Sequence, residues 1–140
     1  MKQRQQKKLS RQLFEAIWQD TPTTVRALLR AGADPERRDR EGVTPLYEAS
    51  VNGRAAIVRL LLAAGAAPDT ESHGLGADGT PLCAASCWGR TETVRALLAG
   101  GADPNLREER GTGSSPLHWA HQGPHPETAA LLVAAGARQA

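Results

Sequence analysis

Leucine and alanine recur at fixed positions along the chain, in a pattern that is typical of paired helices. In four segments a leucine is followed three residues later by an alanine, and fifteen residues later by a second leucine inside an apolar run. Residues three apart share one face of a helix, so each first leucine and its alanine form a buried stripe. The first leucines are Leu13, Leu46, Leu82 and Leu117, and the second leucines are Leu28, Leu61, Leu97 and Leu132. The pattern predicts four helix pairs.

Start and stop signals frame three of the four pairs. Thr44, Thr80 and Ser115 each precede a proline, and a glycine follows 21 residues after each of them. A threonine or serine caps a helix start, proline fits the first helical position, and glycine closes a helix end. Counting back from Gly32 places a first, degenerate copy at Arg11, without the Thr-Pro start. Only the connecting segments vary in length, since the next Thr or Ser follows the closing glycine by 12, 15 and 14 positions, as stacked repeats allow.

These four copies resemble the ankyrin repeat family, whose Thr-Pro-Leu-His, Ala-Ala, Gly and Leu-Leu…Gly-Ala-Asp pattern is matched across residues 11–137. The resemblance implies an all-α fold, an ankyrin-repeat solenoid of stacked helix-turn-helix pairs with hairpin-like loops. We expect a basic N-terminal tail at residues 1–9 and a single repeat domain at 10–140, with repeats at about 10–42, 43–78, 79–113 and 114–140. Only His118 keeps the histidine of the family motif, so we expect no catalytic role at this position.

Charge gives little support for a nucleic-acid partner. Seventeen basic and fifteen acidic residues leave a formal net charge of +2, which is too small for a broad electrostatic footprint. Lysine occurs only at Lys2, Lys7 and Lys8, and association of nucleic acid with this basic N-terminus is kept as an alternative. No segment approaches the roughly 20 apolar residues of a membrane-spanning helix. We therefore expect a cytoplasmic protein that binds no membrane.

Three histidines and two cysteines are the candidates for chemistry. His118 and His121 are spaced to share a helical face as metal ligands, with His125 in the following turn, but no fourth ligand is evident. Cys83 and Cys87 lie in a predicted helix without a base placed by any motif, so we interpret them as buried apolar side chains. We predict that the protein is not an enzyme and has no catalytic residue, metal or cofactor. A metal-dependent protein or enzyme that uses the three histidines is the alternative.

A partner protein is expected to bind the face of each first helix opposite the buried stripe. The positions two, five and six residues after each first leucine lie on that face, and they hold all three tryptophans. They are Glu15, Trp18 and Gln19, then Glu48, Val51 and Asn52, then Ala84, Cys87 and Trp88, then Trp119, Gln122 and Gly123. The resemblance to ankyrin repeats implies that these positions line a concave groove. We expect Trp88 to be an exposed anchor for the partner.

Loop tips and inter-helix turns are expected to complete this binding surface. The first tip holds Arg38, Arg40, Glu41 and Val43, and the second, glycine-rich tip spans Ser72 to Asp78. Arg54 and Arg90, at the ends of inter-helix turns, add a positive rim that favours a partner with exposed Asp or Glu. These features predict a protein–protein interaction module that works as a scaffold, adaptor or inhibitor.

The last helix is predicted to be unusually apolar for the end of a stack. Arg26, Arg59 and Arg95 occupy one position of the second helix in the first three copies, whereas Ala130 occupies it in the fourth. End repeats normally need a polar outer face. Self-association through this C-terminal helix, coverage by a partner and fraying are all compatible with this pattern.

Overall fold

A computed structural model of the chain describes residues 2–74 and 77–138. Four helix pairs follow one another along the chain, as the leucine and alanine pattern predicts. Their helices are α1 (Gln3–Gln19) and α2 (Pro22–Arg30), α3 (Pro45–Val51) and α4 (Ala55–Ala63), α5 (Pro81–Cys87) and α6 (Thr91–Ala99), and α8 (Pro116–Gln122) and α9 (Pro126–Ala134). The connecting loops add the strands β1 (Ser72–Gly74) and β2 (Ala77–Gly79) and the single turn α7 (Glu108–Gly111).

The helix pairs stack side by side in two layers. The first helices α1, α3, α5 and α8 contact one another in chain order, and the second helices α2, α4, α6 and α9 do the same. One hydrophobic core runs through all four pairs and contains the predicted stripe, namely Leu13, Leu46, Leu82 and Leu117 with Ala16, Ala49, Ala85 and Ala120. Because each pair buries its apolar face against its neighbours, the prediction of an all-α solenoid is confirmed.

Thr44, Thr80 and Ser115 cap the helices α3, α5 and α8. Each side-chain oxygen accepts a hydrogen bond of 3.1 Å from the backbone N–H three residues later, and a proline occupies the first turn of each helix. Gly53 and Gly89 then turn the chain between the helices of a pair, with φ of 71° and 65°. Such positive φ values are easy for glycine because it has no Cβ. These local signals thus fix the starts of α3, α5 and α8 and the ends of α3 and α5.

Helix α1 begins earlier than the sequence predicts. A basic tail is predicted at residues 1–9, yet the helix already starts at Gln3. Because the first copy lacks the Thr-Pro pair, nothing ends the helix ahead of Leu13, and a segment rich in Gln and Lys continues it. Gln6 Nε2 donates a hydrogen bond of 2.8 Å to Gly32 O, which ties the added turns to the first repeat. The basic N-terminal residues therefore lie on a helix with fixed faces.

The loops contact one another beside the first helices. The glycine-rich second loop forms an antiparallel hairpin in which Ser72 pairs with Gly79, and the N–H of His73 donates a hydrogen bond of 3.2 Å to Gly42 O of the first loop. Leu75 and Gly76, at the predicted tip of this loop, lie outside the described residues. In the third loop, Glu109 and Arg110 adopt φ of 51° and 57° within α7. The connecting loops thus lie next to one another, alongside the first helices that line the groove.

Candidate protein-binding surface

The three tryptophans of the predicted groove differ in exposure. Trp18 and Trp88 are 53% and 61% exposed, whereas Trp119 is half-buried. Trp88 is the C-cap residue of α5 and directly precedes the turn at Gly89. Its ring is the most exposed large hydrophobic side chain in the described part of the chain. An exposed tryptophan is the side chain that interfaces most often use as an anchor.

A hydrogen bond from the indole nitrogen of Trp18 orients this side chain. The indole Nε1 donates a hydrogen bond of 3.0 Å to Glu48 Oε1, and the ring centroid lies 6.2 Å from that of Phe14 at an interplanar angle of 48°. Two groove residues predicted from the sequence, Trp18 and Glu48, are therefore neighbours across the first and second repeats. The hydrogen bond fixes the orientation of the indole while half of the side chain stays exposed to solvent.

The remaining predicted groove positions fall into two groups. Glu15, Gln19 and Gln122 are exposed, whereas Val51, Asn52, Cys87 and Gly123 are half-buried. Ala84 differs, because it is buried in a second hydrophobic cluster with Phe14, Tyr47 and Val43. Val43 is expected at a loop tip, but it packs into the same cluster under the large rings of Phe14 and Tyr47. The expectation that Ala84 lines the groove and Val43 a loop tip is therefore corrected, because both side chains are buried inside the stack.

Arg54 and Arg90, the residues of the predicted rim, join neighbouring repeats. Arg54 Nη2 donates a hydrogen bond of 3.0 Å to Trp18 O, and its Nη1 lies 3.6 Å from Asp20 Oδ2. Arg90 Nε donates a hydrogen bond of 3.2 Å to Val51 O. Both carbonyls lie at the end of the preceding first helix, where backbone acceptors lack helical partners. Arg90 remains exposed and Arg54 is half-buried, so much of the arginine rim stabilises the stack.

His125 makes the equivalent contact in the fourth repeat. Its Nε2 lies within hydrogen-bond distance of Cys87 O, at 3.0 Å. His118 and His121 are exposed, and the ring of His118 contacts that of Trp119 edge-on. Across residues 2–74 and 77–138, no group of three or more His, Cys, Asp or Glu side chains is placed to hold a metal ion. The histidine cluster read from the sequence thus separates into one structural and two exposed side chains.

Burial makes both cysteine thiols poor nucleophiles. Cys83 is buried, its Sγ donates a hydrogen bond of 3.7 Å to Ser114 O, and burial raises its pKa to about 12. Cys87 is half-buried, and burial together with the nearby Glu108 carboxylate raises its pKa as well. The thiolate is the reactive form of cysteine. Neither side chain is therefore poised for nucleophilic attack at neutral pH.

Helix α1 and the first loop enclose a cleft of about 550 Å³ at one end of the groove. We call it the basic cleft, and it is lined by Lys7, Ser10, Arg11, Phe14, Trp18, Arg37, Arg38, Asp39 and Arg40. The structure brings the predicted binding residues Trp18, Arg38 and Arg40 together here, and Glu41 lies exposed in the same loop. Sequence reasoning missed Lys7, Arg11 and Arg37. Lys7 and Arg11 could have been found from their spacing to Phe14 and Trp18, because residues at these intervals share one face of a helix.

A second cleft, of about 380 Å³, lies between the second and third loops and carries the opposite charge. We call it the acidic cleft, and it is lined by Glu71, Ser72, His73, Asp78, Gly79, Glu108, Glu109 and Arg110. Burial raises the pKa of Glu108, and the carboxylates of Glu109, Glu71 and Asp78 raise it further. The indole N–H of Trp119 opposes this shift, although it forms no hydrogen bond of standard geometry within the described residues. The groove surface is therefore basic at one end and acidic toward the loops that follow.

Tyr47 lies between these two charged regions. Its hydroxyl donates a hydrogen bond of 3.3 Å to Asp78 O. Burial raises the pKa of this phenol to about 12, with further contributions from the carboxylates of Glu108, Asp78 and Glu48. The hydroxyl therefore stays protonated at physiological pH and acts as a structural donor.

Helix α9 exposes apolar surface at the end of the stack. Val133 is 53% exposed, and Ala130, which replaces the outer arginine of the other repeats, is exposed too. None of the helices in the described ranges, α9 included, is both long enough and apolar enough to cross a membrane. Helix α9 therefore presents an apolar face to solvent.

Comparison with known proteins agrees with the observed architecture. The family model described as Ankyrin repeats (3 copies) matches residues 13–108 and again residues 75–140. No curated protein matches the sequence significantly. The two family matches together span all four helix pairs. Ankyrin repeats are modules for protein–protein interaction and are generally not enzymes. This chain belongs to the ankyrin repeat family.

Proposed function

We propose that the protein is a non-enzymatic adaptor, scaffold or inhibitor that binds a partner protein through the concave groove and the loop tips. The partner's identity is not encoded in the repeat, because one fold serves many unrelated partners. Cys83 and Cys87 are both free thiols, which supports a role in the reducing environment of the cytoplasm.

The exposure of Trp88 is the observation that carries this proposal. The side chain is 61% exposed at the end of α5, at a position that the repeat pattern assigns to the groove. Trp18, at a position assigned to the groove in α1, is 53% exposed. Exposing large rings to water costs free energy that binding recovers, because a partner removes their apolar surface from solvent. A groove that keeps two tryptophans in water while the core is well packed is suited to a protein partner.

Affinity purification from the native cell extract tests this proposal with three versions of the protein. We compare the wild type with Trp88→Ala and with Val133→Ala, which removes a similarly exposed apolar side chain on α9, away from the groove. We expect one or more proteins to be captured by the wild type and by Val133→Ala but lost with Trp88→Ala. Circular dichroism shows that each variant is folded.

Equal capture by all three versions would show that the partner does not depend on the tryptophan face. Loss with Val133→Ala alone would place the partner on α9 instead. Either result would overturn the groove as the principal binding surface.

A further inference from the structure

We propose that the basic cleft between α1 and the first loop binds a short acidic segment of the partner protein, rich in Asp and Glu and carrying an aliphatic side chain against Trp18. This inference rests on the proposed function and adds the chemistry of the partner. It concerns only the end of the groove formed by residues 7–18 and 37–40.

Charge is the first argument for an acidic ligand. Five cationic side chains and one carboxylate line the basic cleft. Oδ1 of that carboxylate, Asp39, accepts hydrogen bonds from the N–H groups of Glu41 and Val43, at 2.9 and 3.0 Å, so it is engaged inside its own loop. Throughout residues 2–74 and 77–138, the ion pairs are Arg54 with Asp20 and Arg95 with Glu92. Within the described ranges, no cation of the cleft therefore lies within 4.0 Å of a carboxylate oxygen.

The second argument is that the cations belong to two walls, α1 and the first loop, whose backbones are held in place. Lys7 and Arg11 lie one turn apart on α1, a wall that the contact of Gln6 with Gly32 ties to the first repeat. On the loop wall, Arg38 Nη1 donates a hydrogen bond of 2.9 Å to Gly42 O, which holds its guanidinium while leaving other N–H groups free to donate. Arginine forks match carboxylates in two-point contacts. Walls that are ordered in advance lower the entropy lost on binding.

The apolar side of the cleft accounts for the aliphatic residue in the proposed ligand. Phe14 is buried, but Trp18 stays exposed, and its indole is oriented by the hydrogen bond to Glu48. A cleft of about 550 Å³ is in the size range that accommodates a small ligand or a few residues of an extended chain. An acidic segment with one aliphatic side chain would pair its carboxylates with the cations of the cleft and its aliphatic group with the ring of Trp18.

The charge along the groove favours a short acidic peptide over a long polyanion. Glu48 borders the cleft through its contact with Trp18, and the acidic cleft, which contains Glu71, Asp78 and Glu108, follows at the next loops. A nucleic acid that continued along the groove would meet these carboxylates, and so would an anionic membrane surface. The negative charge of the ligand must therefore end where the basic cleft ends.

Fluorescence anisotropy with a defined probe tests this assignment. The probe is a fluorescein-labelled peptide of about ten residues, made of Asp and Glu with two central leucines. Two double variants each remove two arginines. Arg11→Ala with Arg40→Ala removes one cation from each wall of the cleft. Arg26→Ala with Arg59→Ala removes the same charge from the exposed outer faces of α2 and α4.

We expect the wild type to bind the probe, with affinity that falls as salt rises. The cleft variant should bind at least about tenfold more weakly, whereas the outer-face variant should change by less than about twofold. Replacing the two leucines of the probe by serine should weaken binding to the wild type and leave the salt dependence in place. Circular dichroism of both variants confirms that each one folds.

Absence of binding, or an equal loss in the two double variants, would overturn the assignment. Tighter binding of a single-stranded oligothymidine or of phosphatidylserine vesicles, lost in the cleft variant, would instead assign the cleft to nucleic acid or to membrane. A dimer that dissociates in the cleft variant would assign it to the acidic cleft of a second copy. If the peptide fails but Trp88→Ala still loses the cellular partner, only this inference is wrong and the proposed function stands.

Discussion

The side chain of Asp69 accepts a hydrogen bond of 3.1 Å from the backbone N–H of Asp103, one repeat further along the chain. Asn105 occupies the equivalent position of the next repeat, where it accepts a hydrogen bond of 2.9 Å from the N–H of Arg138 and also donates one of 3.0 Å to Gly136 O. An aspartate can only accept. The second repeat therefore makes one of the two contacts that the third repeat makes.

Replacing Asp69 by asparagine is expected to stabilise the protein at neutral pH. Burial raises the pKa of Asp69, and the nearby Asp103 carboxylate raises it further, although the backbone hydrogen bond opposes the shift. The amide removes the charge and adds a donor, so we expect the free energy of unfolding to rise by about 0.5–1 kcal/mol in urea denaturation. Asn105→Asp is the reverse control and should destabilise. A loss of stability in Asp69→Asn would show that the two loops are not equivalent.

Ser86→Ala is expected to leave stability unchanged or to raise it by up to about 1 kcal/mol. The Ser86 hydroxyl is fully buried on α5 and has no hydrogen-bond partner within the described residues, and alanine is the better helix former. Thr80→Ala on the same helix is the contrasting control, because Thr80 caps the N–H of Cys83 and its loss should cost about 1 kcal/mol. Chemical denaturation measures both. Similar losses of stability in the two variants would mean that the Ser86 hydroxyl has a hydrogen-bond partner.

Glu108→Gln is expected to raise stability at neutral pH but not in acid. The folded chain holds the pKa of Glu108 above its ordinary value, mainly through burial, so between the two values the folded state binds more protons than the unfolded state. The free energy of unfolding contributed by this group therefore falls as pH rises through that window. We expect a gain on the order of 0.5 kcal/mol at pH 7 that disappears below about pH 4. A gain that persists unchanged in acid would contradict this origin.

Alkylation should distinguish the two cysteines. Iodoacetamide at pH 8, followed by mass spectrometry, is expected to leave Cys83 unmodified in the native protein, because its thiol is buried and its pKa is raised to about 12. Cys87 should react slowly, since it is half-buried and its pKa is raised by burial and by Glu108. Unfolding in urea should make both react alike. Rapid native modification of Cys83 would mean that α5 opens readily.

The apolar end of the stack is expected to cause weak self-association. Ala130 and Val133 are both exposed on α9, so sedimentation should show an average mass that rises with concentration. In the double variant Ala130→Arg, Val133→Arg, the first change restores the outer arginine of the other repeats and the second adds a further charge to the exposed face of α9. This variant should remain monomeric, with stability changed by less than about 0.5 kcal/mol. A wild-type mass that stays monomeric at all concentrations would exclude this association.

The sequence predicts those parts of the fold that depend on local signals. Caps at Thr44, Thr80 and Ser115, and the buried stripe through Leu46 and Leu82, are visible in the chain and are confirmed by the structure. The start of α1 is not predicted, because a helix without a capping signal has no visible beginning.

The binding surface is harder to predict because its members meet only after the repeats stack. Trp88 is exposed, as the repeat position indicates. By contrast, Ala84 is buried in a cluster with Phe14 and Tyr47, which lie 70 and 37 residues earlier. Lys7 and Arg37 likewise line one cleft only because the first loop lies beside α1.

The hydrogen bond from Gln6 to Gly32 affects where a further repeat could be added to the stack. The side-chain amide of Gln6 donates to the carbonyl of Gly32 in the first repeat, just as the side-chain amide of Asn105, in the loop before the fourth repeat, donates to the carbonyl of Gly136. The early turns of α1 thus substitute for the loop of a preceding repeat and occupy the place where such a repeat would dock. Further repeats can therefore be inserted between the helix pairs or appended after α9, but an added repeat in front of α1 would have to displace that helix first.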